Sequence, residues 1–158
     1  MSAATGHVVE FALRLAGPAD LPGIVAVERA SFAAPWTERM FAEEFGRDYS
    51  HVWVVERSAD RRVCGFVVFW VAVGEVHLLN LAVEPESRRR GIARAMVAAL
   101  VAFATDRGAD HILLEVRPSN AAAIRLYQSF GLRPVGIRPR YYADSGEDAV
   151  IMVKTIGA

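Results

Sequence analysis

The segment from Leu78 to Gly131 constrains the fold of this chain more than any other part of the sequence. An apolar run ends at Glu84-Pro85, and a basic loop with a single glycine follows, Ser87-Arg88-Arg89-Arg90-Gly91-Ile92-Ala93. The loop leads into a helical pattern rich in small residues, from Ala93 to Ala104. A helix start of this kind attracts anions through its free backbone N–H groups and the positive end of its dipole. The sequence therefore predicts a strand, a phosphate-binding loop and a helix, in that order.

The composition of the 158-residue chain fits one globular domain. Lys and Arg together number 18, as do Asp and Glu, so the chain has no net field that favours nucleic acid or an anionic membrane. The single cysteine, Cys64, excludes an internal disulfide and is typical of a reducing compartment. No signal peptide is evident, and the longest apolar run, Phe66–Val73, is far shorter than the ~20 residues of a membrane span. We expect residues 1–158 to form one cytoplasmic domain.

Apolar periodicity predicts the element order β-α-α-β-β-β-α-β-α-β-β, which is a mixed α/β sheet with helices packed on it. The predicted strands are Val8–Leu15, His51–Arg57, Val63–Val73, the run before the arginine loop, His111–Val116, Val135–Tyr142 and Ala149–Lys154. The predicted helices run from Asp20 to Phe32, Glu38 to Phe45, Gly91 to Arg107 and Asn120 to Phe130. Gly108 and Gly131 are typical of the residue that follows a helix end.

Glu115 is the clearest candidate for acid–base chemistry. It lies in the run Ile112–Val116, which is otherwise apolar and predicts a strand buried on both faces. Burial of a carboxylate without a partner is costly. Burial also raises its pKa toward neutrality, which suits a general base. The alternative is a structural ion pair with one of the many arginines.

Tyr127 and Asn120 lie seven positions apart and so on one face of the last predicted helix, within about 20°. A phenol at this position can protonate a leaving thiolate, and Asn120 can hold an amide or a phosphate near the helix start. The alternative for Tyr127 is an aromatic core residue with its hydroxyl group at the rim.

The arginine loop, Cys64 and the histidines can each be explained by a purely structural role. The arginine loop can be a solvated turn, and it lacks the Gly-Lys-Ser/Thr ending of a nucleotide-hydrolysing loop. Cys64 is interpreted as a packing residue rather than a nucleophile. The histidines are scattered with no metal-binding spacing, so we expect no metal site, and His77 is a minor catalytic candidate.

Aromatic and acidic residues near the C-terminus suggest a substrate groove. The pair Tyr141-Tyr142 is followed by Asp144, Glu147 and Asp148, and with Trp36 and Glu38 they can bind a cationic or peptide substrate. The alternative is a pair of aromatic residues at the end of a strand beside a solvated loop.

In this order the segments resemble the GNAT superfamily of acetyltransferases and, more narrowly, its RimI family. The phosphate-loop pattern of the superfamily, Gln/Arg-x-x-Gly-x-Gly/Ala, is matched by Arg88–Ala93. The likeness spans nearly the whole chain. It is also carried by Pro35-Trp36-Thr37, Asn80-Leu81-Ala82-Val83, Leu114–Ile124, Leu126-Tyr127, Tyr141-Tyr142 and Glu147-Asp148-Ala149.

The resemblance implies a GNAT fold, in which a mixed, mostly antiparallel sheet is split at a V-shaped cofactor cleft and flanked by about four helices. It implies acetyl-CoA as co-substrate and Asn120 as a further contact to it. The backbone of Leu81, Ala82 and Val83 would bind pantetheine and the acetyl group. The pyrophosphate would be wrapped by Arg89, Arg90, Gly91, Ile92, Ala93 and Arg94.

The same resemblance implies direct acetyl transfer to an amine, with Glu115 as proton acceptor and Tyr127 as proton donor. Members of the RimI family acetylate the N-terminal alanine of a small-subunit ribosomal protein. The implied partner is therefore a protein or peptide N-terminus bound near Trp36, Tyr141 and Tyr142. The balanced charge and the short apolar runs lead us to expect no direct nucleic-acid or membrane partner.

The chain departs from the family pattern at three positions. Arg88 stands where glutamine is common, and Leu132 stands where phenylalanine is common. Arg140 stands where asparagine or lysine is frequent, beside the expected peptide groove.

Three alternatives to N-terminal acetylation are open. They are acetylation of lysine side chains or a small amine, a non-catalytic acetyl-CoA-binding module, and an RNA-binding domain. A free α-amine has a pKa about 2.5 units below that of lysine, so deprotonating lysine costs roughly 3.4 kcal/mol more, which favours an N-terminal acceptor.

Overall fold

A computed structural model describes residues 10–157, which form seven strands and four α-helices. The strands are β1 (Phe11–Leu15), β2 (Ser50–Arg57), β3 (Val63–Ala72), β4 (Glu75–Val83), β5 (His111–Val116), β6 (Arg133–Arg138) and β7 (Ala149–Thr155). The helices are α1 (Leu21–Ser31), α2 (Glu38–Phe45), α3 (Ile92–Asp106) and α4 (Ala121–Ser129). The element order is the one that the periodicity predicts. Residues 8 and 9 of the predicted first strand lie outside the described residues.

The strands form one mixed sheet in the order β1-β2-β3-β4-β5-β7-β6. β1 pairs with β2, and β7 pairs with both β5 and β6, all antiparallel, whereas β4 and β5 are parallel. The parallel pairing runs from Glu75 opposite His111 to Leu78 opposite Leu114. The remainder of β4, up to Val83, extends beyond this ladder.

The described chain divides into two compact units. The first comprises residues 10–68 and 80–96, and the second comprises residues 69–79 and 97–157. In the first unit, the buried rings of Phe41 and Phe66 meet edge to face at 5.3 Å. In the second unit, Phe69 and Phe103 meet at 5.2 Å in a similar geometry. β3, β4 and α3 each contribute residues to both units.

Helix α2 begins where the sequence predicts because two capping devices coincide. The hydroxyl group of Thr37 accepts a hydrogen bond from the Met40 N–H at 3.2 Å. Trp36, directly before this cap, packs its ring 5.1 Å from that of Phe41. A contact between these two helix positions is a hydrophobic staple, which sets the angle at which the chain enters the helix.

The predicted strand Val135–Tyr142 is wrong at its C-terminal end, because β6 ends at Arg138. Arg140 adopts a left-handed conformation with φ of 49°, which an extended strand does not accommodate. A turn follows, in which Tyr142 N–H donates to the Glu147 carbonyl and Gly146 N–H donates to the Tyr142 carbonyl. Tyr141 and Tyr142 therefore lie in a loop of residues 139–148 rather than in a strand.

Among residues 10–157, no helix combines the length and the apolar character that a bilayer crossing requires.

Candidate active site

The predicted phosphate loop connects β4 to α3 in the first unit. A short 3-10 turn, Pro85–Ser87, leads into residues 88–91, where Arg89 and Gly91 have φ of 66° and 79°. A Cβ atom built on Gly91 meets nothing within 4 Å, so the glycine serves the backbone conformation and open space lies beside it. Ala95 N–H donates to the Gly91 carbonyl at 2.9 Å and closes the first turn of α3. The N–H groups before this turn are the donors that a helix start offers to an anion.

Two arginines of this loop have partners within the protein. Arg88 donates through Nε to the Val83 carbonyl at 3.0 Å and through Nη2 to the Ser31 hydroxyl at 3.4 Å. Arg90 pairs with Glu10 at 3.3 Å. Arg88 therefore ties the loop to the end of β4.

Glu84 holds the base of the loop, a role that the sequence analysis missed. It is 6% exposed, and both of its carboxylate oxygens accept from Arg62 Nη2 at 2.8 Å. The Ser87 hydroxyl donates to the same carboxylate at 2.5 Å, and Ser87 N–H donates to the Glu84 carbonyl at 3.0 Å. The sequence signal was an acidic residue, followed by proline, at the end of an apolar strand.

Glu28 is a second buried carboxylate that the sequence analysis did not assign. It is 1% exposed and accepts from the Trp36 N–H at 2.7 Å and from Asn80 Nδ2 at 2.9 Å. Burial raises the pKa of Glu28, and these two hydrogen bonds offset part of the increase. Glu28 thereby joins the turn that carries Trp36 to the residue directly before Leu81–Val83. The sequence signal was a glutamate on the apolar face of α1, beside Ile24 and Val27.

Cys64 is buried in β3, as the packing interpretation requires. Its thiol lies 3.4 Å from the Val55 carbonyl, to which it donates a weak hydrogen bond. Burial raises the pKa of this thiol to about 11, so it is protonated near neutral pH and a poor nucleophile.

In the second unit, β5 carries Glu115 on its less buried face. Ile112, Leu114 and Val116 are buried, whereas the alternating residues, including Glu115, are only partly covered. The expectation of a strand buried on both faces is therefore wrong. The Glu115 side chain is nevertheless only 6% exposed, because neighbouring side chains cover it.

The two carboxylate oxygens of Glu115 have different surroundings. Oε1 lies 2.8 Å from His77 Nε2 on β4. Oε2 lies 3.8 Å from Arg138 Nη2, which is within ion-pair range but too long for a hydrogen bond. Within residues 10–157, Oε2 is a buried polar atom for which no hydrogen-bond partner is found.

The pKa of Glu115 lies below its ordinary value, so the predicted rise toward neutrality is wrong. Burial raises the pKa, but the hydrogen bond from His77 and the electrostatic interactions with His77 and Arg138 together lower it by more. Glu115 is consequently a carboxylate at neutral pH, available to accept a proton but only weakly basic.

Tyr127 is buried in α4 with 8% of its surface exposed. Burial, together with the nearby Tyr142, raises the pKa of its phenol to about 12. The hydroxyl group is therefore protonated at neutral pH, which a proton donor requires. Asn120 caps the same helix, since its Oδ1 accepts from the Ala123 N–H at 3.2 Å.

The loop of residues 139–148 is tied to the turn that follows β5. Arg117 donates to both oxygens of Asp144 at 2.9 and 3.0 Å, and its guanidinium group lies 4.0 Å from the centre of the Tyr142 ring. Ser119 donates to Glu147 through its N–H and its hydroxyl group. The carboxylates of Asp144 and Glu147 thus have partners within the protein, and Arg117, which Asp144 binds, packs on the Tyr142 ring.

Electrostatic interactions link four predicted site residues of the second unit in a chain. Burial is the main cause that raises the pKa of Tyr141 and Tyr142, and the charge of Glu115 raises both further. Tyr142 in turn adds to the raised pKa of Tyr127, for which burial is again the main cause. Tyr141 is 47% exposed and available to a ligand. Trp36, Leu81–Val83 and the phosphate loop belong to the first unit.

Among the described residues, no group of three or more His, Cys, Asp or Glu is placed to hold a metal ion.

Comparisons with known proteins agree on one family. Residues 21–132 match the model of the acetyltransferase (GNAT) family. The ribosomal protein bS18-alanine N-acetyltransferase of Escherichia coli K12 is 37% identical over 139 residues, which cover 87% of this chain and 92% of that protein.

Solved structures show the same likeness. The crystal structure of the ribosomal-protein-S18-alanine N-acetyltransferase from Escherichia coli matches with a TM-score of 0.86 at 33% identity, covering 94% of this chain and 95% of that one. Arabidopsis thaliana NAA60 in complex with acetyl-CoA shares the fold, with a TM-score of 0.82 at 21% identity, covering 92% and 98%. The predicted GNAT fold is confirmed.

The substitution Glu115→Gln is expected to flatten the acid dependence of stability. The folded-state pKa of Glu115 lies below its ordinary value of 4.5, so the unfolded chain binds more protons in this range. The stabilisation by the ionised group is present above that pH and is lost as the pH falls through the folded-state pKa. We expect the free energy of unfolding from urea titrations to fall less steeply in Glu115→Gln than in the wild type, between about pH 6 and about pH 3.

The substitution Glu28→Gln provides the matched comparison, because the pKa of Glu28 is raised. The folded chain binds the extra proton here, so the contribution of Glu28 is present below pH 4.5 and is lost as the pH rises through the folded-state pKa. Relative to the wild type, this variant should gain stability as the pH rises in that range. If both variants changed the profile in the same direction, the assignment of the two pKa shifts would be wrong.

Proposed function

Because the chain belongs to the acetyltransferase (GNAT) family, we propose that it transfers the acetyl group of acetyl-CoA to a protein N-terminal α-amine. The acceptor we propose is the N-terminal alanine of a small-subunit ribosomal protein. This choice rests on the Escherichia coli relative, which is named a ribosomal protein bS18-alanine N-acetyltransferase and aligns with 87% of this chain. The structural observation that carries the proposal is the ionised Glu115, whose Oε2 is buried and has no hydrogen-bond partner among the described residues.

We propose that residues 1–158 act as one acetyltransferase domain in the cytoplasm. The family match at residues 21–132 includes parts of both compact units, which supports one functional domain. The zero net charge, together with the internal partners of Arg88 and Arg90, argues against a direct nucleic-acid partner. The proposed partner is a protein N-terminus, and we propose no membrane partner.

The first unit fits the binding of acetyl-CoA. We propose that backbone groups of Leu81, Ala82 and Val83 bind the pantetheine and the acetyl group. The pyrophosphate is assigned to residues 89–94, which combine basic side chains, open space at Gly91 and the start of α3. We also propose Asn120, which belongs to the second unit and caps α4 through its Oδ1, as a cofactor contact through its amide Nδ2. Bound there, acetyl-CoA supplies an acetyl group activated as a thioester.

We propose that Glu115 and Tyr127 carry out the two proton transfers that accompany direct acetyl transfer. Glu115 accepts the proton of the attacking amine at Oε2, so the amine nitrogen can form its bond to the acetyl carbon. Tyr127 donates its phenolic proton to the sulfur as the carbon–sulfur bond breaks. Backbone N–H groups that polarise the acetyl carbonyl complete the arrangement. No acetylated side chain of the protein is needed.

The weak basicity of Glu115 favours an α-amine over a lysine side chain. The neutral form of an amine is the nucleophile, and deprotonating lysine near neutral pH costs roughly 3.4 kcal/mol more than deprotonating an α-amine. A lowered carboxylate pKa makes proton transfer from either amine more costly, so the amine with the lower pKa, the α-amine, is the better matched acceptor. We propose Tyr141 and Tyr142, in the loop tied to Arg117, as peptide contacts of the second unit, and Trp36 as a peptide contact of the first.

Thiol release from acetyl-CoA should occur with a peptide that carries a free N-terminal alanine. It should not occur with an N-terminally blocked peptide that offers lysine, nor with a blocked peptide that lacks lysine. We expect Glu115→Gln and Tyr127→Phe each to lower kcat by about 100-fold, because each removes one partner in proton transfer, while the KM for acetyl-CoA stays near the wild-type value.

Three results would contradict this proposal. Unchanged turnover in both variants would remove Glu115 and Tyr127 from the mechanism. Turnover of the blocked lysine peptide would identify a lysine acetyltransferase. Binding of acetyl-CoA without turnover of any peptide would support a non-catalytic module.

The substitution Gly91→Ala should weaken acetyl-CoA binding, because it forces a Cβ onto a left-handed residue inside the proposed pyrophosphate loop. Gly108→Ala is the matched control, since Gly108 has φ of 69°, has open space around its Cβ position and follows the far end of α3. Each substitution should cost about 1–2 kcal/mol of backbone strain. We expect only Gly91→Ala to raise the KM for acetyl-CoA several-fold, and equal KM values for both variants would contradict the loop assignment.

A further inference from the structure

We infer that His77 is a positioning residue that orients Glu115 and leaves Oε2 as the atom that accepts the proton. This inference rests on the proposed function and extends it to a residue outside the segments that carry the family likeness. His77 Nε2 lies 2.8 Å from Glu115 Oε1, although the two residues are 38 positions apart in the sequence. They meet because β4 and β5 are parallel and adjacent.

The strand register places His77 beside Glu115 on one face of the sheet. His77 pairs with Leu113, and Glu115 lies two residues farther along β5, so Leu113 and Glu115 project to the same side. The histidine side chain reaches this diagonal neighbour, as the 2.8 Å between His77 Nε2 and Glu115 Oε1 shows. The partnership is therefore a consequence of the register between two strands.

The imidazole ring is itself held in place. The Trp70 ring of β3 lies 6.2 Å from it and is perpendicular to it. The His77 side chain is 26% exposed and that of Glu115 is 6% exposed, so water screens their hydrogen bond only in part. A group that is packed on one side and hydrogen-bonded on the other restricts the rotation of the carboxylate.

This arrangement makes the two carboxylate oxygens inequivalent. Oε1 is occupied by His77, whereas Oε2 has Arg138 at 3.8 Å as an ion-pair neighbour. The Arg138 side chain is 56% exposed and is held less firmly than His77. Charged and phenolic groups on the neighbouring elements, Arg138 on β6 and Tyr141 and Tyr142 in the following loop, surround the same carboxylate.

The protonation of the pair follows from its chemistry. An ionised carboxylate has only acceptors, so the His77 nitrogen that faces it must carry the proton and donate to Oε1. His77 therefore needs to supply only an N–H donor at this position. The amide nitrogen of a glutamine can supply the same donor, whereas leucine fills similar space without one.

The substitution His77→Leu should lower kcat by about tenfold, which corresponds to about 1.4 kcal/mol, because a charge-assisted hydrogen bond to the base is lost. The KM for acetyl-CoA should stay at the wild-type value. His77→Gln should keep kcat within about threefold of the wild type, since it retains the donor. The matched control is His111→Gln on β5, which should leave both constants unchanged.

Two kinetic results would overturn the inference. One is wild-type kcat in His77→Leu, which would show that the donor has no role. The other is an equal loss in His77→Gln and His77→Leu, which would show that packing rather than the hydrogen bond matters.

A spectroscopic measurement tests the same contact without any peptide substrate. In proton–nitrogen NMR spectra of the full-length protein, the Nε2-bound proton of His77 should resonate downfield and exchange slowly, because it is hydrogen-bonded to Glu115. The signal should be assigned by its absence in His77→Gln, and it should shift upfield or exchange away in Glu115→Gln. A signal unaffected by Glu115→Gln, or no protected signal in the wild type, would refute the inference.

The two experiments separate this inference from the function on which it rests. If the wild type acetylates no peptide while the His77 signal depends on Glu115, the proposed function fails and the contact stands. If the wild type is active and the signal is indifferent to Glu115, the function stands and the positioning role is wrong. Should His77→Leu not fold, the wild-type signal and its response to Glu115→Gln still decide the question.

Discussion

The hydrogen bond between His77 Nε2 and Glu115 Oε1 is the interaction on which the proposed chemistry depends. A carboxylate with only 6% of its side chain exposed would be unstable as an anion without a donor. His77 supplies the donor and Arg138 adds a positive charge, so the pKa of Glu115 falls below its ordinary value despite burial. The lowered pKa makes Glu115 a weak base. A weak base is sufficient for an amine that is already partly deprotonated near neutral pH, such as a protein N-terminus. The register between β4 and β5 thus places His77 beside Glu115, and the resulting lowered pKa of Glu115 favours an α-amine as acceptor.

Buried carboxylates perform a related task in the first unit, where they hold backbone rather than accept protons. Glu84 joins Arg62 to the turn at Ser87 and so supports the phosphate loop. Glu28 joins the turn at Trp36 to Asn80, the residue before the strand segment assigned to acetyl-CoA. In both cases one carboxylate binds donors from two separate segments of the chain. The segments proposed to bind the cofactor are therefore anchored by polar contacts, and substitution of either glutamate would remove the acceptor that these donors share.

The sequence predicted those elements whose signals are local and failed where the cause lay elsewhere in the chain. The bounds of α2 were predicted because Thr37 is a strong helix cap, and β5 was recognised because Ile112–Val116 is apolar around a single carboxylate. The predicted C-terminal end of β6 was wrong because the left-handed backbone conformation of Arg140 is not evident from its residue type. The pKa shift of Glu115 was predicted in the wrong direction because its partner His77 lies 38 positions away. Family resemblance supplied the cofactor and the acceptor, which spacing alone did not.

A peptide that offers both amines at once distinguishes an α-amine acceptor from a lysine acceptor in one experiment. The peptide would begin with a free alanine and contain one internal lysine, and the position of the acetyl group would be mapped by tandem mass spectrometry after incubation with acetyl-CoA and the wild-type protein. We expect acetylation of the alanine nitrogen with the lysine unmodified. Acetylation of the lysine side chain with a free N-terminus would show that the acceptor is not the α-amine.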